Sequence, residues 1–210
     1  MKSFLALDTA SGYLTVLTRD REGKKTVSFL PDCATRHSVL LLETVEKTVA
    51  EAGLSLSDFD FFACVTGAGS FTGIRIGIAT VKGLCTAFDR PALGVTSFDA
   101  IAWAVQRGRV LSAIDAGHGY YYICGFDENR GMMLAPAYCS AADVCSVLEQ
   151  GRFVAAGYEI LPFENALLAD MSMGLLAAVS AKADDEANLI AGENLAATYV
   201  RKSQAEENRK

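Results

Sequence analysis

The chain has 210 residues, 51% apolar, 21% charged and 9% aromatic, and its 19 basic and 25 acidic side chains give a formal net charge of −6. At about 150 residues per domain this is one large domain or two small ones, able to bury roughly 70% of the unfolded surface without disulfides. The acidic balance argues against unaided capture of nucleic acid or of an anionic membrane, because both need Lys/Arg stripes that displace counterions. Asp8 interrupts the N-terminal apolar run that a signal peptide would need, so a cytoplasmic location is expected. The longest apolar stretch, Ala166 to Val179, falls short of the ~18 residues of a membrane span and contains Asp170. The six cysteines include no Cys-x-x-Cys pair and read as reduced, mostly buried small hydrophobes.

In chain order, Ser3 to Asp8 reads as a buried strand, 9–12 as a turn, Tyr13 to Thr18 as an alternating strand and 20–23 as a second turn before Lys24 to Leu30. Pro31 ends this meander. From about Thr35 to Ala52 the residues Val39, Leu42, Val45 and Val49 recur at helical spacing, widened by Leu40 and Leu41, with Gly53 as the stop. Phe59 to Thr66 reads as a strand, 67–70 as a Gly-rich loop, and Phe71 to Phe88 as a helix that Ser70 or Thr72 can cap. Pro91 to Thr96 is a strand and Ser97 to Gln106 a helix ending before Gly108.

The second half opens the same way. Arg109 to Ala116, Tyr120 to Phe126 and Met132 to Tyr138 form a meander, followed by a helix near Ala141 to Gln150, a strand near Arg152 to Ala156 and Ala-rich helix. The residues do not repeat but the order of elements does. A β-β-β-α-β unit used twice predicts two related α/β subdomains facing each other across a cleft, 1–107 and 108–202, with a flexible tail over 203–210.

Asp8-Thr9 stands where the first strand meets its turn, and Asp115-Ala116-Gly117-His118-Gly119 at the matching point of the second half. An Asp there either caps its own turn or holds a hydrated Mg²⁺ beside a phosphate. The run Gly67-Ala68-Gly69-Ser70-Phe71-Thr72-Gly73-Ile74-Arg75 matches neither the dinucleotide fingerprint nor the P-loop. Its helix carries an apolar stripe (Ile74, Ile78, Val81, Cys85, Phe88) and a stripe of small residues (Gly73, Gly77, Thr80, Ala87). The small stripe accommodates either the 35–52 helix of the same chain or a partner helix. No Gly-x-Ser-x-Gly elbow accompanies His37 or His118, which argues against a Ser-His-Asp hydrolase.

Phe4-Leu5-Ala6-Leu7-Asp8-Thr9-Ala10, the His37 to Leu42 helix, the run from Gly67 to Gly77 with Lys82-Gly83-Leu84, and Gly94-Val95-Thr96-Ser97 together resemble the TsaB (YeaZ) family. The second half matches more loosely, through Asp115-Ala116 and Tyr199-Val200-Arg201. It departs at Gly117-His118 and at Lys202-Ser203, where members carry arginines and prolines. The resemblance implies an α/β, actin/Hsp70-like (ribonuclease H-like) fold with mixed sheets and a shortened second lobe. It also implies a non-catalytic scaffold in the synthesis of tRNA N6-threonylcarbamoyladenosine (t6A), binding and activating a TsaD-type transferase, with a TsaE-type ATPase in the larger complex. TsaD-like sequences place two metal-ligating histidines one helical turn apart after the Gly-Val strand, and Ser97 and Ile101 stand at those positions here.

The expectations are therefore concrete. The partner face comprises His37, Leu40, Leu41, Thr44, Gly69, Ser70, Phe71, Thr72, Gly73, Arg75, Gly77 and Thr80, and it closes a homodimer when the chain is alone. A residual cleft is expected at Asp8, Thr9, Asp115 and Gly117, with no metal, no resident cofactor and at most weak nucleotide binding. Contact with tRNA is expected to be indirect, and with membranes absent. The alternative is a free-standing actin-fold ATPase or small-molecule kinase using Asp8 and Asp115.

Overall fold

Turn chemistry explains why the opening meander forms. In the computed structural model, which describes residues 1–106 and 108–200, β1 (Phe4–Asp8), β2 (Leu14–Arg19) and β3 (Lys25–Leu30) pair antiparallel in sequence. Between β2 and β3, Asp20 Oδ1 accepts the N–H groups of Glu22 (2.9 Å) and Lys24 (2.8 Å). Gly23 supplies a φ of +92° that only glycine adopts freely. β4 (Phe61–Val65) and β5 (Ala92–Val95) then add in parallel beyond β1, giving the order β3-β2-β1-β4-β5. Every residue of β1 and β4 is buried, which is why both read as continuous apolar runs.

α1 (His37–Ala52) links β3 to β4 and α2 (Phe71–Phe88) links β4 to β5. Ser70 caps α2 by accepting the N–H of Gly73, and Gly53 ends α1 at φ +71°. After α3 (Ser97–Ala104), the second half lays down β6 (Val110–Gly117), β7 (Tyr120–Phe126), β8 (Met132–Ser140), α4 (Ala141–Gly151), β9 (Val154–Gly157) and β10 (Leu167–Leu168). Its sheet order is β10-β9-β6-β7-β8, the first sheet's pattern read from the other end, with the same parallel and antiparallel pairings. One element is missing from the copy: residues 158–166, between β9 and β10, form no helix where the first half has α2. That is the shortening of the second lobe.

The helices that follow each sheet are exchanged. Phe98 and Ile101 of α3 join Val110, Ile114 and Phe126 in the apolar cluster on the second sheet. Leu175, Leu176 and Val179 of α5 (Met171–Ala183) belong to the core of the first. The two helices touch closely at Gly174, where a Cβ would lie 2.0 Å from the Ala100 carbonyl oxygen. α1 and α5 cover opposite faces of the first sheet, since Thr48 of α1 bonds Ser28 while Ser180 of α5 accepts from Arg19, on a residue of opposite parity. A final strap, residues 186–199, returns to the first lobe: Ile190 bridges Ala92, Lys82 Nζ donates to the Glu193 carbonyl (3.0 Å), and Thr198 N–H bonds the Thr66 carbonyl (2.8 Å). The tail expected to be flexible from Ser203, and Arg201 before it, lie outside the described residues. Among the described residues no helix is long and apolar enough to cross a membrane, and Cys33, Cys64, Cys85 and Cys124 are buried free thiols.

Candidate partner face and interlobe cleft

The ends of β1 and β6, related by the internal repeat, have become unlike. Asp115, at the end of β6, is exposed and accepts the Gly117 N–H at 2.7 Å. Asp8, at the end of β1, is 1% exposed, with Oδ1 accepting the Ala10 N–H (2.9 Å) and Oδ2 the Tyr13 hydroxyl (3.0 Å). Burial raises the Asp8 carboxyl above its ordinary range, outweighing both hydrogen bonds and the nearby His37. The Tyr13 phenol is pushed up, by burial first and by Asp8 second. Thr9 is also buried, its hydroxyl donating to the Gly73 carbonyl at 2.7 Å.

A cleft of about 360 Å³ does open between the lobes, lined by Ala10, Ser11, Ser70, Asp115, Tyr122 and Tyr158 among others. Of the four residues expected there, Asp115 lines it. Asp8 and Thr9 are withdrawn into the fold by Tyr13 and Gly73, and Gly117 serves the turn that positions Asp115. Among the described residues, no three His, Cys, Asp or Glu side chains are placed to hold a metal ion together.

The raised Asp8 pKa has a signed consequence. The folded state prefers the neutral acid, so the Asp8 contribution is complete below the unfolded carboxyl value of 3.8 and is lost as pH rises through the folded value. Asp8→Asn has no ionisable group; its Oδ1 still accepts the Ala10 N–H and its amide N–H can donate to the Tyr13 oxygen, with that bond's direction reversed. Its stability relative to the parent is expected to increase from pH 4 to pH 8 in urea unfolding; a difference independent of pH would contradict the assignment.

The glycines of the Gly-rich run are packed by the chain itself. A Cβ on Gly67 would lie 2.1 Å from the Thr198 carbonyl oxygen, on Gly69 2.1 Å from that of Ala10, on Gly73 1.9 Å from that of Thr9, and on Gly77 2.7 Å from Thr9 Oγ1. Gly73 and Gly77 therefore face the turn after β1, neither α1 nor a partner helix. Three further expected contact residues also point inward. His37 is 2% exposed with Nε2 2.9 Å from the Tyr13 carbonyl, Leu41 is in the core, and the buried Thr44 donates to the Leu40 carbonyl (2.7 Å).

The surface that remains consists of Ser70, Phe71, Thr72 and Arg75, which are exposed, and Leu40, Gly69 and Thr80, which are half-buried. Of the expected stripe on α1, Val45 and Val49 turn inward with Leu41, while Val39 (71% exposed) and Leu42 (61%) turn out. Sequence reasoning also missed Tyr199. The strap brings its ring to 5.2 Å from Phe71, stacked, and its hydroxyl to 3.2 Å from Arg75 Nε, with the Arg75 guanidinium 3.7 Å above the Phe71 ring.

Two five-stranded mixed sheets of one strand order, facing each other across a cleft, define a two-lobed α/β protein of the actin/Hsp70-like class. Residues 16–207 match the family described as TsaD: tRNA N6-adenosine threonylcarbamoyltransferase. The Escherichia coli "tRNA threonylcarbamoyladenosine biosynthesis protein TsaB" is 35% identical over 131 residues, 60% of this chain and 56% of that protein. The match thus spans little more than half of that relative's length. A Pseudomonas aeruginosa structure described as similar to the peptidase YeaZ superposes with a TM-score of 0.79 at 29% identity, covering 96% of this chain and all of that one. A second, YeaZ from the same organism, gives 0.73 at 28% identity over 95% of this chain and all of that one. The chain belongs to the TsaD-type family, and within it to the TsaB (YeaZ) branch.

Proposed function

We propose that this chain is a non-catalytic subunit of the t6A-forming machinery, which binds and activates a TsaD-type transferase. The observation that carries this reading is the state of Asp8. An acid buried to 1% exposure, with both oxygens occupied by the chain's own donors, is not free to hold a metal-bound phosphate. Ser97 and Ile101 add support: the Ser97 hydroxyl donates to the Ala68 carbonyl at 2.6 Å, and Ile101 is fully buried in the apolar cluster. Neither offers an atom that could replace an imidazole ligand. The ATPase alternative loses its first carboxylate for the same reason.

The proposed docking face is the outward side of α1, with Val39, Leu40 and Leu42, together with the first turns of α2, with Phe71, Thr72 and Arg75. Alone, the chain closes this face on a second copy. A TsaE-type ATPase joins the larger assembly, and the charge of −6 suits tRNA contact made through the partner. Light scattering on the purified chain, alone and mixed with the TsaD-type transferase of its organism, is expected to find a homodimer that converts to a heteromer. The pair Val39→Glu and Leu42→Glu is expected to weaken the heteromer at least about 30-fold, as for a contact worth 2 kcal/mol or more. Their exposure means that unfolding should shift by only about 0.5 kcal/mol. Loss of t6A formation from labelled threonine should accompany the loss of binding. An undiminished heteromer would overturn the assignment of this face.

A further inference from the structure

We propose that Tyr13 is a bolt between the two lobes, and that through it the end of β1 and the segment after β9 move as one. Tyr13 follows the turn after β1, and its hydroxyl is the group that occupies Asp8 Oδ2. Its ring is held on one side by Phe29 of β3 (centroids 5.3 Å, tilted) and meets Tyr158, directly after β9, edge-on at 5.9 Å and 80°. Its carbonyl lies 2.9 Å from Nε2 of the buried His37, so α1 fixes the backbone that presents the ring. One residue thereby joins β1, β3 and α1 of the first lobe to the second lobe, and its ring packs on the same apolar cluster as Tyr122 and Tyr158.

The same placement closes the floor of the cleft. Ala10 N–H is spent on Asp8, the Ala10 carbonyl accepts the Ser70 N–H, and the phenol covers the remaining carboxylate oxygen. A ligand entering from the Asp115 side meets the Tyr158 ring and cannot reach Asp8 while Tyr13 is in place. The bolt is the ring of Tyr13 and the seal its hydroxyl, so removing the whole side chain opens both.

Amide hydrogen exchange on the full chain, read over 9–14 and 158–161 with α4 as reference, tests this. Tyr13→Ala is expected to speed exchange in both segments by about tenfold or more, from loss of an aromatic pair and a buried hydrogen bond, while α4 is unchanged. Tyr13→Phe keeps the ring and leaves the Ala10 amide its Asp8 Oδ1 acceptor, losing only the bond to Oδ2, so it should leave 158–161 near the parent rate. Tyr158→Ala, in the other lobe, should speed exchange over 9–14. Acceleration confined to 9–14 in Tyr13→Ala would overturn the proposal by making the contact local. If Tyr13→Ala does not fold, unchanged exchange over 9–14 in Tyr158→Ala would overturn it equally.

Discussion

Gly73→Ala is expected to destabilise the fold by about 3 kcal/mol or more, although alanine is the better helix former by about 1 kcal/mol. The added Cβ would lie 1.9 Å from the Thr9 carbonyl oxygen, a backbone atom that cannot swing aside. Relief requires α2 to lift off the turn after β1, which stretches the Thr9 hydroxyl bond to the Gly73 carbonyl and the Ser70 cap. Gly83, ten residues further along the same helix, is exposed with no atom within 4 Å of an added Cβ. Gly83→Ala is therefore expected to stabilise by about 0.5–1 kcal/mol, through reduced freedom of the unfolded chain. Urea midpoints of the two variants, moving in opposite directions from the parent, check both statements. A shared sign would mean that α2 does not seat against Thr9 as described.

Asp99→Ala is expected to cost about 3 kcal/mol, because one carboxylate oxygen serves two structures at once. Asp99 Oδ2 accepts the Thr96 N–H and hydroxyl, each at 2.7 Å, which closes the capping box at the start of α3. It also accepts Lys182 Nζ of α5 at 2.7 Å, with the acid side chain 11% and the lysine 33% exposed. Removing the acid loses its half of the capping box and leaves three donors without their acceptor, while Thr96 Oγ1 still accepts the backbone N–H of residue 99. Lys182→Met removes one partner and leaves the cap, for about 1 kcal/mol. Since α3 and α5 are exchanged between the sheets, Asp99→Ala should also speed amide exchange in both helices. Equal destabilisation by the two variants, read from urea midpoints, would show that the cap contributes nothing beyond the ion pair.

Much of the architecture was legible because its causes are local. Asp20 and Gly23 mark the turn between β2 and β3, and Ser70 marks the start of α2. The order of strands and helices, repeated once, was enough to predict two α/β lobes, and the Gly-Ser-Phe-Thr-Gly-x-Arg run was enough to point to the family. β10 was not legible, because two residues carry no period.

The site was legible in position but not in state. Asp8 reads as a ligand or a turn cap with equal ease; Tyr13, Tyr158 and the packing around them decide that it is sealed. Leu40, Leu41 and Leu42 are alike as residues, and α1 buries Leu41 while exposing Leu42 because β2 and β3 set its rotation.

The sequence by itself determined the elements, their order and the family, since turn, cap and periodicity signals act over a few neighbouring residues. Tertiary structure alone decided which glycines are filled by backbone, which helix covers which sheet and where the strap meets the first lobe. Those outcomes join Thr9 to Gly73, Asp99 to Lys182 and Thr66 to Thr198 across 64, 83 and 132 positions. Each depends on steric fit and on competition for hydrogen bonds, which exist only once segments far apart in the chain have packed.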